Sequence, residues 1–451
     1  MDAISIRDNS YYLQRQALRE SNARSYPHRF PIAVQSASGC TLTDSDGKTY
    51  IDCLAGAGTL AIGHNHPEVL DTLRNVLNSG LPLHTLDLAT SVKDNFITDL
   101  MDTLPVGLNG EAKIQFCSPS GSDAIEAAIK LAKTVTGRSD IISFRGAYHG
   151  MSQGSLSLMG SLTPKAAIGA LLPGSHFFPY PYSYRCPFGR GGAETTRLAI
   201  EYLERALRDP EGGINRPAAI ILEVIQGEGG VIEAPAEWLQ AVRRLTTELG
   251  ILLIIDEVQT GAGRTGTFYA FEKSGIIPDI IALSKAIGGG LPLAVIIYHE
   301  KFDLWQPGAH AGTFRGNQLA MAAGSKTLEI IERDRLASHA AIIGAELKAA
   351  LQHIATQTPY IGDVRGRGLM LGLEIIDPHG AADQLGHHPH GPEFASLVQR
   401  EAFYRGLIVE TGGRHGSVLR LLPPLTMTRE EATRVATIFS DIFASLERQV
   451  A

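Results

Sequence analysis

Cysteine is scarce in this 451-residue chain: Cys40, Cys53, Cys117 and Cys186 are all there are, and no two form a CxxC pair. A chain of this length can bury a core without covalent staples, so reduced thiols in a cytoplasmic protein are expected rather than a disulfide framework. Long apolar runs are missing as well. None approaches the roughly 18 residues of a bilayer-spanning helix, and residues 1–30 hold no apolar stretch followed by a small-residue cleavage site. Neither a membrane span nor a secretory signal is expected. Blocks of about five like charges are absent, and a formal net charge of −7 offers no bulk attraction to nucleic acid. These absences leave a soluble globular chain long enough for two domains.

What is present, from about residue 110, is an alternation of short apolar runs with helical patterns. The runs at 113–117, 140–144, 218–224, 251–256, 279–283 and 293–298 are nearly continuous in apolar residues and rich in Ile and Val. That pattern predicts strands of a mainly parallel sheet covered on both faces. Between them, "SDAIEAAIKLAK" places Ala124, Ile125, Ala128, Ile129 and Ala132 at helical spacing, and 237–250 ends in glycine like a crossover helix. After about residue 320 two helices (318–333, 336–355), short strands (369–375, 407–410, 417–421) and a last helix from 428 suggest a smaller α+β domain. "GCTLTDSDGKTYIDC" reads as a hairpin with an Asp-Gly turn, and 377–393 as a loop. The expected organisation is an N-terminal segment (1–60) that contributes to the small domain and covers the site, a large domain (61–320) and a C-terminal small domain (321–451).

In open α/β sheets ligands gather at the carboxyl ends of the strands, and the unusual residues of this chain sit there. "SPSGSDA" opens a helix after 113–117. Taken alone it is either an ordinary serine N-cap or a phosphate cup built from Ser120, Gly121 and Ser122. The run 251–256 ends in Asp256, which alone could be half of a salt bridge. Lys285 stands between "IIALS" and three glycines, where a lone lysine could simply reach for solvent. Together the three make a more specific set. A pyridine phosphate bearing an aldehyde needs a lysine for a Schiff base, a carboxylate for its ring nitrogen and a cup for its phosphate.

That order of motifs resembles the class III aminotransferases, enzymes of the fold type I pyridoxal-phosphate group. The likeness runs from "GHNHPEV" through "SPSGSDAIEAAIKLA", "AYHGMSQGS", "EVIQGEGGV", "LLIIDEVQTGAGRTG", "ALSKAIGGGLPLA" and "GTFRGNQLAMAAG" to "RGRGLMLGLEI" and "RLLPPL". The resemblance implies that Lys285 bonds the aldehyde of pyridoxal 5′-phosphate and Asp256 pairs with the ring nitrogen. It further implies that Gln259 meets the phenolic oxygen and Tyr148 stacks on the ring, with His149 close by. Gly121 and Ser122 would hold the phosphate, joined by Thr313 of a second subunit, so a homodimer with shared sites is expected. Glu228 and Arg420 match the pair that switches between ω-amines and the α-carboxylate of glutamate.

Departures from the family narrow the substrate. By the same resemblance, the position after the aromatic–x–Gly segment, where ornithine and γ-aminobutyrate enzymes carry a second arginine, is Met151, and Ala57 stands in place of the ornithine enzymes' pocket tyrosine. "ESNARSYPHRFP", "LPLHTLDLAT" and "PYPYSYRCPFG" are similar instead to the diaminobutyrate–2-oxoglutarate aminotransferases. Small-molecule amino and keto acids are thus the expected partners, and Arg24 is the candidate cation for the distal carboxylate. "GAGRTG" (261–266) matches the GxGxxG letters of a dinucleotide loop, but four residues separate it from Asp256 and an aromatic stretch follows. His64, His66, His387, His388 and His390 lack an acidic or cysteine partner at ligand spacing, so no metal is expected.

Overall fold

The computed structural model describes residues 7–169 and 171–450. Its central sheet has seven strands, in the order Ala112–Phe116, Val295–His299, Ile280–Leu283, Leu252–Asp256, Ala219–Leu222, Ile141–Phe144 and Ser175–Phe178. Pairing is parallel throughout the last five, while Val295–His299 runs antiparallel to both of its neighbours. The six strands expected from apolar runs all form, with ends shifted by a few residues. Ser175–Phe178 escaped that reading because it is a four-residue edge strand with only Phe178 fully buried, so it presents no continuous apolar run.

Helix Gly121–Thr136 shows why the strands are apolar on both faces. It buries Ala124, Ile125, Ala127, Ala128, Ile129, Leu131 and Ala132 in a cluster with Ile254, Ile280 and Ile296 of the sheet. The other face packs around Trp238, Phe144 and Tyr180. Helix Ala236–Leu249 ends at Gly250, whose φ of 60° closes the helix in the left-handed conformation glycine adopts without strain.

Two further four-stranded sheets accompany this layer, beside the two-stranded pair Ile225–Gln226 and Ile232–Glu233. Thr41–Asp44 and Thr49–Asp52 form the expected hairpin, joined by Val34–Ser38 on one side and, in parallel, by Leu407–Ile408 on the other. The second sheet is antiparallel, in the order Ile361–Arg367, Met370–Ile375, Val418–Leu421, Glu410–Gly412. Its first strand mixes buried and half-buried residues through "IGDVRGR", a polar pattern that an apolar-run reading passes over. Helices Gln318–Arg333 and Leu336–Ala355 form as expected, and Pro392–Tyr404 begins just inside the segment read as a loop. One apolar cluster joins Ile51 and Cys53 from the N-terminal sheet to Leu371, Leu419 and Phe439. Register places Glu410 directly opposite Arg420.

Candidate active site

Asp256, Lys285 and the start of helix Gly121–Thr136 all lie at the same end of the central sheet, where they border a cavity of about 170 Å³. Tyr148, His149, Glu223, Glu228 and Gln259 complete most of its wall. A larger open groove beside Gly107, Arg138, Arg243 and Asp279 lies at the opposite ends of the strands, and none of the candidate residues reaches it.

Lys285 directly follows strand Ile280–Leu283 and Ser284, and it begins a short 3₁₀ turn with φ of 50°. A non-glycine residue in that region is strained, and such strain is tolerated where the fold fixes one side chain in place. Among the described residues its Nζ has no hydrogen-bond partner. Burial lowers its basicity, and although the charges of Glu228 and Asp256 act against this, the net shift is downward. A lysine so placed is closer to the neutral, nucleophilic amine than one in water.

Asp256 is buried at the end of its strand. Its Oδ1 accepts the Val258 N–H at 3.0 Å, and its Oδ2 lies 2.7 Å from Nδ1 of His149, itself buried. Behind this pair, Glu223 accepts N–H bonds from Tyr148 and Gly227 at 2.9 and 3.0 Å, tying the two loops that wall the cavity. Burial pushes the Glu223 carboxyl up to about 7; His149 opposes the rise and Asp256 adds to it. Burial likewise raises the Tyr148 hydroxyl, with Glu228 and Glu223 contributing.

At the helix start, the Ser120 hydroxyl serves as the N-cap, accepting from the Asp123 N–H at 3.3 Å. Ser122 Oγ accepts the Met151 N–H at 3.0 Å and keeps its own proton to donate. Two glycines hold the chain close here. A Cβ on Gly121 would stand 2.8 Å from Val258 Cγ1, and one on Gly150, at φ +123°, would overlap Ser122 Oγ. Gln259 Nε2 donates to the Ala57 carbonyl at 3.4 Å, which brings Ala57 to the edge of the site. Gln259 Oε1 and His149 Nε2 are buried without a partner among the described residues. Unspent polar atoms of this kind are costly unless a ligand uses them. With the helix N-terminus, the carboxylate and the amine, they fit a phosphorylated pyridine aldehyde.

Arg420 is fully buried beside this cavity. Its Nη2 lies 2.8 Å from Glu228 Oε2 and 2.7 Å from Glu410 Oε2, while Nε and Nη1 bond nothing among the described residues. Burial raises both carboxyls, but the charges of Arg420 and Lys285 bring Glu228 below its ordinary value, whereas Glu410 stays above its own. Glu410 also meets Arg29 Nη1 at 3.1 Å and the Tyr26 hydroxyl at 3.3 Å. The sequence reading missed Glu410, Arg29 and Tyr26. An acid closing the apolar run "LIVE", opposite an arginine by strand register, was the available signal for Glu410. Nothing comparable marks Arg29.

Two expected residues lie elsewhere. Thr313 is exposed on a 3₁₀ turn, its carbonyl 2.6 Å from His84 Nε2, and does not line the cavity of its own chain. Arg24 commits Nη1 to the carbonyls of Glu20 and Ser21, at 3.0 and 2.7 Å. "GAGRTG" opens no helix; Arg264 within it is buried and bonds the carbonyls of Leu369 and Pro423. In the fold His64 and His390 gain acidic neighbours, Asp52 at 2.8 Å and Glu374 at 3.3 Å, brought together by tertiary packing rather than by ligand spacing in the sequence. Cys117, Asp123 and His310 are the metal-like grouping among the described residues, and it includes none of the histidines singled out.

A model of the family "Aminotransferase class-III" matches residues 22–443. The chain belongs to the class III aminotransferases. It is 71% identical over 451 residues to a diaminobutyrate–2-oxoglutarate aminotransferase of Rhizobium meliloti, covering 100% of this chain and 96% of that protein. A diaminobutyrate–2-oxoglutarate aminotransferase of Haemophilus influenzae is 50% identical, covering 94% and 93%. Among solved structures, an amine transaminase from an uncultivated Pseudomonas species, in its PLP-bound form, superposes with a TM-score of 0.84 at 29% identity, covering 95% and 98%. This class III enzyme thus has the fold type I architecture. Among the described residues, no helix is long and apolar enough to cross a membrane.

Proposed function

We propose that this aminotransferase moves the 4-amino group of L-2,4-diaminobutyrate to 2-oxoglutarate, yielding aspartate 4-semialdehyde and glutamate. The observation that carries the reading is Arg420, buried and doubly masked by Glu228 and Glu410. The reacting carbon of an ω-amine bears no carboxylate, so an open arginine there would be left unpaired. Glutamate does bring one, and it claims Arg420 once Glu228 turns away. The identity to the Rhizobium and Haemophilus enzymes supports the donor.

The cavity would hold pyridoxal 5′-phosphate, with Gly121 and Ser122 on its phosphate, Tyr148 on its ring, and Gln259 at its phenolic oxygen. Bound there, this cofactor supplies a protonated pyridine that accepts the electrons released when a C–H bond next to nitrogen breaks. Asp256, oriented by His149, keeps negative charge at the ring nitrogen. Lys285, its amine biased to the neutral form by burial, is the nucleophile toward the cofactor aldehyde and then the base for the proton on the amine-bearing carbon.

A cytoplasmic homodimer completes the reading. Leu83, Leu86, Leu88 and Phe314 are exposed on the two segments that flank Thr313, an apolar patch suited to a second copy. A partner seated there would lend Thr313 to the phosphate. The test is a diaminobutyrate-dependent assay of glutamate formation from 2-oxoglutarate, run beside ornithine and 4-aminobutyrate. Clear preference for diaminobutyrate supports the proposal, and an enzyme that ignores it while using another ω-amine would overturn it.

A further inference from the structure

Resting on that reading, we infer that Arg29 and Glu410 together read the far end of the amino donor: Arg29 takes its α-carboxylate and Glu410 its α-ammonium. Diaminobutyrate presents its 4-amino group to Lys285, so its other end is a zwitterion pointing away from the cofactor. An arginine and a carboxylate side by side match those two charges. Arg29 Nη1 and Glu410 Oε1 are 3.1 Å apart, and their partnership joins residues 381 positions apart in sequence.

Both groups keep capacity to spare. Arg29 uses only Nη1 among the described residues, which leaves the Nε–Nη2 edge free, and that edge binds a carboxylate through two parallel bonds. Glu410 Oε1 accepts from Arg29 and Tyr26, but among the described residues Oε2 accepts only from Arg420, so one lone pair remains. Arg29 is 37% exposed and Glu410 only 7%, as expected of a rim cation over a buried anion. The bond from Glu410 through Arg420 to Glu228 connects this pair to the cavity wall.

Charge balance gives the pair its selectivity. Arg29, Arg420, Glu228 and Glu410 sum to zero, so a zwitterionic end enters without leaving a net buried charge. A donor with a bare carboxylate would face Glu410 with nothing positive to offer it, and a donor with only an amine would leave Arg29 unanswered. Arg24 of the same segment, already bonded to its own turn, is not needed for this role.

The test compares kcat/KM of the holoenzyme for diaminobutyrate, 4-aminobutyrate, which lacks the α-amino group, and 1,3-diaminopropane, which lacks the carboxylate. Inhibition constants against diaminobutyrate serve where a truncated donor reacts too slowly. Arg29→Met should lower kcat/KM for the two carboxylate-bearing donors roughly 10- to 100-fold and leave 1,3-diaminopropane within about threefold. Glu410→Gln should narrow the preference for diaminobutyrate over 4-aminobutyrate by roughly tenfold or more. Arg29→Lys should recover part of the loss. Equal losses for all three donors with Arg29→Met would overturn the inference while leaving the proposed function standing. Failure of the wild-type enzyme to use diaminobutyrate would instead remove the reading beneath it.

Discussion

His149 Nδ1 stands 2.7 Å from Asp256 Oδ2, and both side chains are sealed from solvent. The contact holds the carboxylate in one orientation at the end of strand Leu252–Asp256, and the Val258 N–H fixes its other oxygen. If Asp256 faces a protonated ring nitrogen, Asp256→Ala removes the electron sink, and kcat should fall about a thousandfold, on the order of 4 kcal/mol of barrier. His149→Ala, acting only through Asp256, should cost roughly tenfold to a hundredfold. Steady-state rates on cofactor-saturated protein decide it, and a near-normal Asp256→Ala rate would refute the assignment.

Lys285 is the second case. Its left-handed backbone and unpartnered amine have no structural use that another residue would not serve at lower cost. Lys285→Ala should abolish turnover and the borohydride-trapped lysine adduct, read by peptide mapping of the reduced protein. A label on any other lysine would sink the role.

Sharing of the site is testable by complementation. In a mixed dimer of Lys285→Ala and Thr313→Ala subunits, one site loses both residues and the other keeps both. Equal mixing should therefore restore about a quarter of wild-type activity if subunits pair at random. No recovery after proven exchange would place Thr313 outside the neighbouring site.

Much of this was legible in the sequence, for physical reasons. A sheet covered on both faces must be continuously apolar, so a carboxylate or lysine ending such a run stands out, as Asp256 and Lys285 do. The same contrast locates Gly121, where small residues open a helix. Pairings made by tertiary packing leave no such trace. His64 meets Asp52 across a turn and Arg29 meets Glu410 across most of the chain, at spacings that no local pattern encodes. Arg24, the candidate named from the sequence, and Arg29 lie in one basic, aromatic segment with no local pattern to tell them apart. Only the fold of that segment decides which guanidinium reaches Glu410.

The residue after Asp256 carries the last prediction. Glu257 is buried without a cationic partner at bonding distance among the described residues; its oxygens accept from the Phe271 N–H at 3.2 Å and from the Thr260 hydroxyl. Burial pushes its carboxyl up from the ordinary value of 4.5 to about 8. The folded chain therefore holds this proton through neutral pH, whereas the unfolded chain releases it near 4.5. The stabilisation is fully present below pH 4.5 and is lost progressively as pH rises toward 8, a change on the order of a few kcal/mol. Glu257→Gln keeps the shape, accepts the Phe271 N–H through its oxygen, donates to Thr260 and has no proton to lose. The variant should thus unfold at a temperature less sensitive to pH between 5 and 8, and the difference between wild type and variant should grow in the variant's favour toward pH 8. Thermal unfolding across that range is the measurement. Parallel curves for the two proteins would mean that Glu257 is ionised in the folded chain, with its charge met by a group other than those named.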